Sequence, residues 1–197
     1  MKHPAIVLSS LAALAAVATA LAQGTVNFRT YGIAGINAPV FGSDFRTRLG
    51  SSYYGQLHAG PSPDSLAPVG EPVPFLDWNG QPTGYINGGH VEIPTVPEGG
   101  LAYVQLRAWP AAAGPSFAAA RAAGGEWGTS LILITQTGGE HLDPPYVSIP
   151  LVGLVSFALV PEPAPSWLTL AGLGVLLASR LNTIRLGSSP DTKNAHD

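Results

Sequence analysis

Ala102-Tyr103-Val104-Gln105-Leu106-Arg107-Ala108-Trp109 is the stretch from which the rest of the chain is read. Ala102, Val104, Leu106 and Ala108 fall on one side of it, and Tyr103, Gln105, Arg107 and Trp109 on the other. A period of two residues is that of a strand, whose successive side chains point to opposite faces of a sheet. Shorter runs of the same kind lie at Thr25 to Tyr31, Tyr53 to His58, Gly89 to Ile93, Leu131 to Thr135 and Leu154 to Leu159, each bounded by Gly, Pro or Asn-Gly. Asn79-Gly80 and Asn87-Gly88 read as tight turns. One segment breaks the pattern: Ser116 can cap an alanine-rich helix from Phe117 to Ala123, ended by Gly124-Gly125. Gly60 to Pro74 reads as a proline-containing loop of low complexity. The expected fold is mainly β: an antiparallel β-sandwich, jelly-roll-like, with one short helix, over residues 23–159.

Composition agrees with a single folded domain flanked by other segments. The 197 residues are 46% hydrophobic and 11% charged, far from the low-hydrophobicity, high-charge composition of disordered chains. Twenty-four glycines and 19 prolines without a three-residue period suit many short elements joined by turns. The net charge of -3 gives no reason to approach nucleic acid, which demands clustered Lys and Arg. Lysine occurs only at Lys2 and Lys193, and between the terminal segments the fixed positive charges are Arg29, Arg46, Arg48, Arg107 and Arg121. No cysteine is present, so disulfides, thiolate metal sites and cysteine nucleophiles are all excluded.

The two ends read as addresses. Lys2, the apolar run Ala5 to Val17, and Ala20-Leu21-Ala22 before Gln23 have the order of a secretory signal peptide, with cleavage expected between Ala22 and Gln23 and residues 1–22 removed by signal peptidase. At the other end, Pro161, Glu162, Pro163 and Pro165 hold an extended strip, because proline disfavours helix and sheet there. Ser166 can cap a helix that begins at Trp167, whose indole suits a membrane interface. The apolar run continues to Ser179 and can be extended through Ile184, with Arg180 and Arg185 placed on the cytoplasmic side by the positive-inside rule. A span over 167–184 is short against the roughly 20 residues a bilayer usually needs, and snorkelling of Arg180 makes up the deficit.

Pro161, Glu162 and Pro163, the helix from Trp167, and the basic residues Arg180 and Arg185 together resemble the PEP-CTERM sorting signal of exported bacterial proteins. The resemblance lies in residues 160–186, within roughly the last fifth of the chain, and implies that the protein is a substrate of an exosortase, a membrane-embedded cysteine protease-like enzyme of bacteria that make extracellular polysaccharide. Two departures bear on processing: the basic residues are spaced rather than clustered, and a polar tail of residues 187–197 follows. The phrases from Tyr54 to Pro63 and from Val104 to Trp109 are also similar to those of exported proteins with this kind of tail, a likeness that carries no activity.

Candidate chemistry is sparse. His90 and Glu92 share a strand face, and His141 and Asp143 are likewise two apart, a spacing that can present ligands to an ion; Glu98, Glu140 and Asp143 offer oxygens to calcium. Solvated loop and edge polars are the preferred reading of both sets, and no metal or cofactor is expected. Any two of Asp77, Glu92, Glu126 and Asp143 can in principle form a glycosidase pair, but sequence does not pair them, and no nucleophile elbow is present. Trp78, Trp109 and Trp127, with Tyr53, Tyr54, Tyr85 and Tyr103, are either core or a sugar-stacking platform, Trp109 and Trp127 being the candidates for glycan contact. The reading is therefore a non-catalytic envelope or extracellular-matrix protein, exported and at least transiently anchored by its tail, with exosortase, signal peptidase and lipid as partners. A carbohydrate-binding module, with polysaccharide as partner, is the first alternative and a secreted hydrolase the second.

Overall fold

The structure is a computed structural model and describes residues 23–142, 145 and 148–161. Ala20, Ala22, Asp143, Glu162, Pro163, Trp167, Arg180 and Arg185 lie outside the described residues, as do the expected signal helix, the membrane helix and the polar tail. Gln23 and Pro161 are described.

The chain is mainly β with one short helix. In order, the strands are β1 (Gln23–Arg29), β2 (Val40–Phe41), β3 (Tyr53–Gly60), β4 (Ala67–Pro74), β5 (Asp77–Trp78), β6 (Gln81–Pro82), β7 (Asn87–Pro97) and β8 (Leu101–Pro110). A 3-10 turn at Ala111–Ala113 leads to helix α1 (Phe117–Ala122), then β9 (Gly128–Thr129), β10 (Leu133–Gln136), β11 (Ile149–Pro150) and β12 (Phe157–Ala158). Three strands form one sheet in the order β11-β1-β7, and a second sheet runs β10-β8-β3-β4, with β9 also on β8. Two short pairs, β12-β2 and β5-β6, complete the pairing.

The alternation read from Ala102 to Trp109 holds in β8. Ala102, Val104, Leu106 and Ala108 are buried in the main core, where they meet Leu57 and Ala59 of β3, Val26 and Phe28 of β1, and Val91 and Ile93 of β7. Side chains from both sheets thus share one apolar cluster, and each large one contributes roughly 1.5–3 kcal/mol by leaving water. β7 and β8 are consecutive yet belong to different sheets, so the turn through Glu98, Gly99 and Gly100 carries the chain from one sheet to the other. Ser116 caps α1 as expected, its Oγ accepting from Ala119 N at 3.2 Å.

Several expectations are corrected. The segment expected to be a loop from Gly60 to Pro74 contains β4, a full strand antiparallel to β3. Its prolines are tolerated because β4 is an edge strand, where an N–H can be missing without breaking a ladder. Asn79-Gly80 does turn a hairpin, β5-β6, both residues having positive φ. Asn87-Gly88 instead opens β7 beside a register shift at Phe28 and Arg29, and the absent Cβ of Gly88 leaves room for the Phe28 ring. The pairing is not wholly antiparallel either, since β1-β11 and β2-β12 run parallel.

Candidate functional site

The outward face of β1 and β7 meets the β7-β8 turn in a polar cleft of about 380 Å³, lined by Gln23, Thr25, His90, Glu92, Glu98, Glu140 and His141. His90 and Glu92 are two apart on β7 and share this exposed face, as their spacing implied. Glu98 is the organiser. Its carboxylate accepts from Glu140 N at 3.2 Å and His141 N at 3.1 Å, and His141 Nδ1 lies 3.2 Å away. Burial alone would raise the Glu98 carboxyl, but the His141 ring and the two backbone N–H groups together outweigh it and hold it below its ordinary value. Gly139 permits the approach, because a Cβ there would overlap the Glu98 side chain. Thr25 and Gly138 exchange backbone hydrogen bonds of 3.0 and 2.8 Å, and Thr137 Oγ1 donates to Pro97 O at 2.7 Å, so the 137–141 segment is tied to β1 and to the end of β7, both in the three-stranded sheet.

The cleft gathers His90, Glu92, Glu98, Glu140 and His141, residues that sequence spacing offered as two separate ligand sets. Among the described residues, however, no group of three or more His, Asp or Glu is close enough to hold a metal ion. Glu98 spends its oxygens on backbone donors, which makes it a clamp between the β7-β8 turn and the 140–141 segment rather than an open ligand.

The second assembly is aromatic. On the outer face of the five-stranded sheet, Trp109 and Phe117 stand edge to face at 5.9 Å, Phe117 and Trp127 at 5.7 Å, and Tyr54 and Trp109 at 6.1 Å. Arg107 lies over Phe117 at 5.1 Å and Arg121 over Trp127 at 4.8 Å. α1 presses Phe117 and Ala120 onto this layer, and Trp109 Nε1 donates to Gly114 O at 3.0 Å. His58, 7% exposed, packs its ring 6.0 Å from Phe117 with neither nitrogen hydrogen-bonded. Burial, aided by the positive charge of Arg107, pushes its pKa down to about 4, so the ring is neutral at pH 7.

Trp109 has 0% exposure. As folded it offers no face to a sugar, and the suggestion of a Trp109 platform gives way to a core role. Trp127 is half-buried beneath Arg121. Trp78, by contrast, is exposed at the tip of the β5-β6 hairpin.

Among the described residues, the carboxylates considered for hydrolysis have different partners. Glu92 lines the polar cleft, whereas Glu126 lines another of about 230 Å³ with Asp44, Arg48 and Tyr53. Tyr53 Oη donates to Glu126 Oε1 at 2.8 Å, and burial together with that carboxylate pushes the phenol up to about 12. Asp77 accepts from the backbone N and the hydroxyl of Ser51. Sequence reasoning missed the Glu98 clamp and the Tyr53–Glu126 pair, separated by 43 and 73 positions, because no local pattern announces such contacts.

Among the described residues no helix is long and apolar enough to cross a membrane. Compared with known proteins, the chain matches no family model, no curated protein and no solved structure.

Proposed function

We propose that the chain is an exported, non-catalytic envelope or extracellular-matrix protein, whose two sheets form a sandwich and whose C-terminal segment is a sorting signal read by an exosortase-type enzyme. The observation that carries this reading is the order of features after the fold: Pro161-Glu162-Pro163, an apolar run from Trp167, then Arg180 and Arg185. Its position agrees with that role. Backbone pairing continues to Val160, whose N donates to Trp127 O at 2.7 Å and whose O accepts from Trp127 N at 3.2 Å, and the next residue, Pro161, is exposed. A processing enzyme needs such an extended strip clear of the folded domain, and three prolines within five residues favour it.

In this reading the signal peptide is removed before Gln23, the tail inserts from Trp167, and the domain faces the outside of the cell. The absence of cysteine leaves packing as the source of stability there. The test is membrane fractionation of the full chain against a chain ending at Val160. The full chain is expected in the membrane fraction and the shortened one in the soluble fraction; equal soluble release of both refutes anchoring by the tail.

A further inference from the structure

The two edges of the five-stranded sheet are built differently. β4 closes one edge with Pro68, Pro72 and Pro74, which lack the donors another strand would need, and with exposed Glu71. Its ladder to β3 is also shifted between Gly55 and Leu57, where Gln56 Nε2 donates to Gly70 O at 2.7 Å. Prolines, a charge and a bulge are the usual ways to keep an edge from pairing.

β10 forms the other edge and has none of these. From Gly128 to Gly139 the chain carries no charged residue and no proline. Among the described residues β10 pairs with β8 alone. Leu131 is 77% exposed and Ile134 56%, Ile132 is exposed between them, and Leu101 stands exposed beside them on β8. An uncharged strand rich in Ile, Leu and Thr, with no second ladder partner among the described residues, is a template for another strand.

We infer that this edge pairs with β10 of a second copy, giving a two-fold dimer with one sheet continuous across both subunits. Three features favour that occupant. The incoming strand must carry unpaired backbone groups and tolerate apolar neighbours without a counter-charge, and β10 itself meets both needs. An antiparallel register centred on Ile134 sets Ile134 against its own counterpart and Glu140 against Gly128 of the partner subunit, so no like charges are opposed. Pairing β10 with β10 is isologous and uses up the same edge on both copies, and the guarded β4 edge offers that sheet no second attachment point, so the pairing closes at two copies. This dimer does not depend on the sorting reading.

The cysteine-free chain makes the test direct, because one introduced thiol has no competitor. The full chain is purified in dodecyl maltoside with Ile134→Cys on one edge or Glu71→Cys on the other, and oxidised with copper phenanthroline. A disulfide-linked dimer is expected for Ile134→Cys and none for Glu71→Cys. In sedimentation velocity the unaltered chain is expected as a dimer, and Ile134→Lys should weaken association about tenfold or more by opposing two charges across the two-fold axis. Gln136→Lys, also at an exposed position, should act in the same direction and decides the matter if the circular dichroism of Ile134→Lys shows a folding defect. An unaltered chain that sediments as a monomer, a dimer that survives both folded lysine variants, or cross-linking at 71 as efficient as at 134 would overturn the inference.

Discussion

The two faces of β8 are covered in different ways. Ala102, Val104, Leu106 and Ala108 point into a predominantly apolar core shared by both sheets, where packing is the main interaction. Tyr103, Gln105, Arg107 and Trp109 point the other way, and only the Arg107–Trp109 end is roofed by α1. That roofed end is aromatic, contains two arginines, and encloses a histidine without hydrogen-bond partners. The inner layer should set global stability, whereas the outer layer should set how firmly one helix is held and how the domain responds to acid.

The contrast is broken most severely from the inside. Phe28→Ala should cost about 4 kcal/mol in urea unfolding, because a fully buried ring between the sheets leaves a cavity the strands cannot collapse. Trp109→Ala should cost about 3 kcal/mol, and its signature differs: amide exchange in α1 should accelerate before that of β3 and β8, since Trp109 is the floor on which Phe117 sits. If exchange instead rises uniformly, the two layers are one cooperative unit and the distinction fails.

Acid sharpens the same contrast. His58 titrates near 6.5 when unfolded and at about 4 when folded, so the unfolded chain binds its proton first as pH falls. The stability due to keeping it neutral is whole above about pH 6.5 and is lost between there and pH 4, by on the order of 2–3 kcal/mol. His58→Phe should flatten the unfolding midpoint across that window. Asp44, held down to about 2 by the Thr47 hydroxyl and the N–H groups of Arg46 and Thr47, adds an acid loss only below about pH 4. The smallest effect is Ser116→Ala, which removes the cap from Ala119 N and should cost about 1 kcal/mol, confined to α1.

The same two layers explain what could be read in advance. The inner face of β8 is written as a period of two, and the strands expected around Tyr53, Gly89 and Leu131 all have counterparts, with ends moved by a few residues. Trp109 was ambiguous because alternation places it opposite the aliphatic face, and nothing local reveals that residues 117–122 return to cover it. β4 was hidden for another reason: its prolines mark turns in a central strand but are allowed on an edge, and edge position is a property of the sheet. The polar cleft was half legible, since His90 and Glu92 share a face by spacing alone. Glu98 meets Glu140 and His141 only because the 137–141 segment is pinned to Thr25 and Pro97.

Export and tail anchoring are the claims on which the functional account stands, and the intact mass of the native protein tests both. Protein recovered from the membrane fraction of its own cells should have a mass that begins at Gln23. A species that begins at Met1 and is recovered wholly in the soluble fraction would contradict the account.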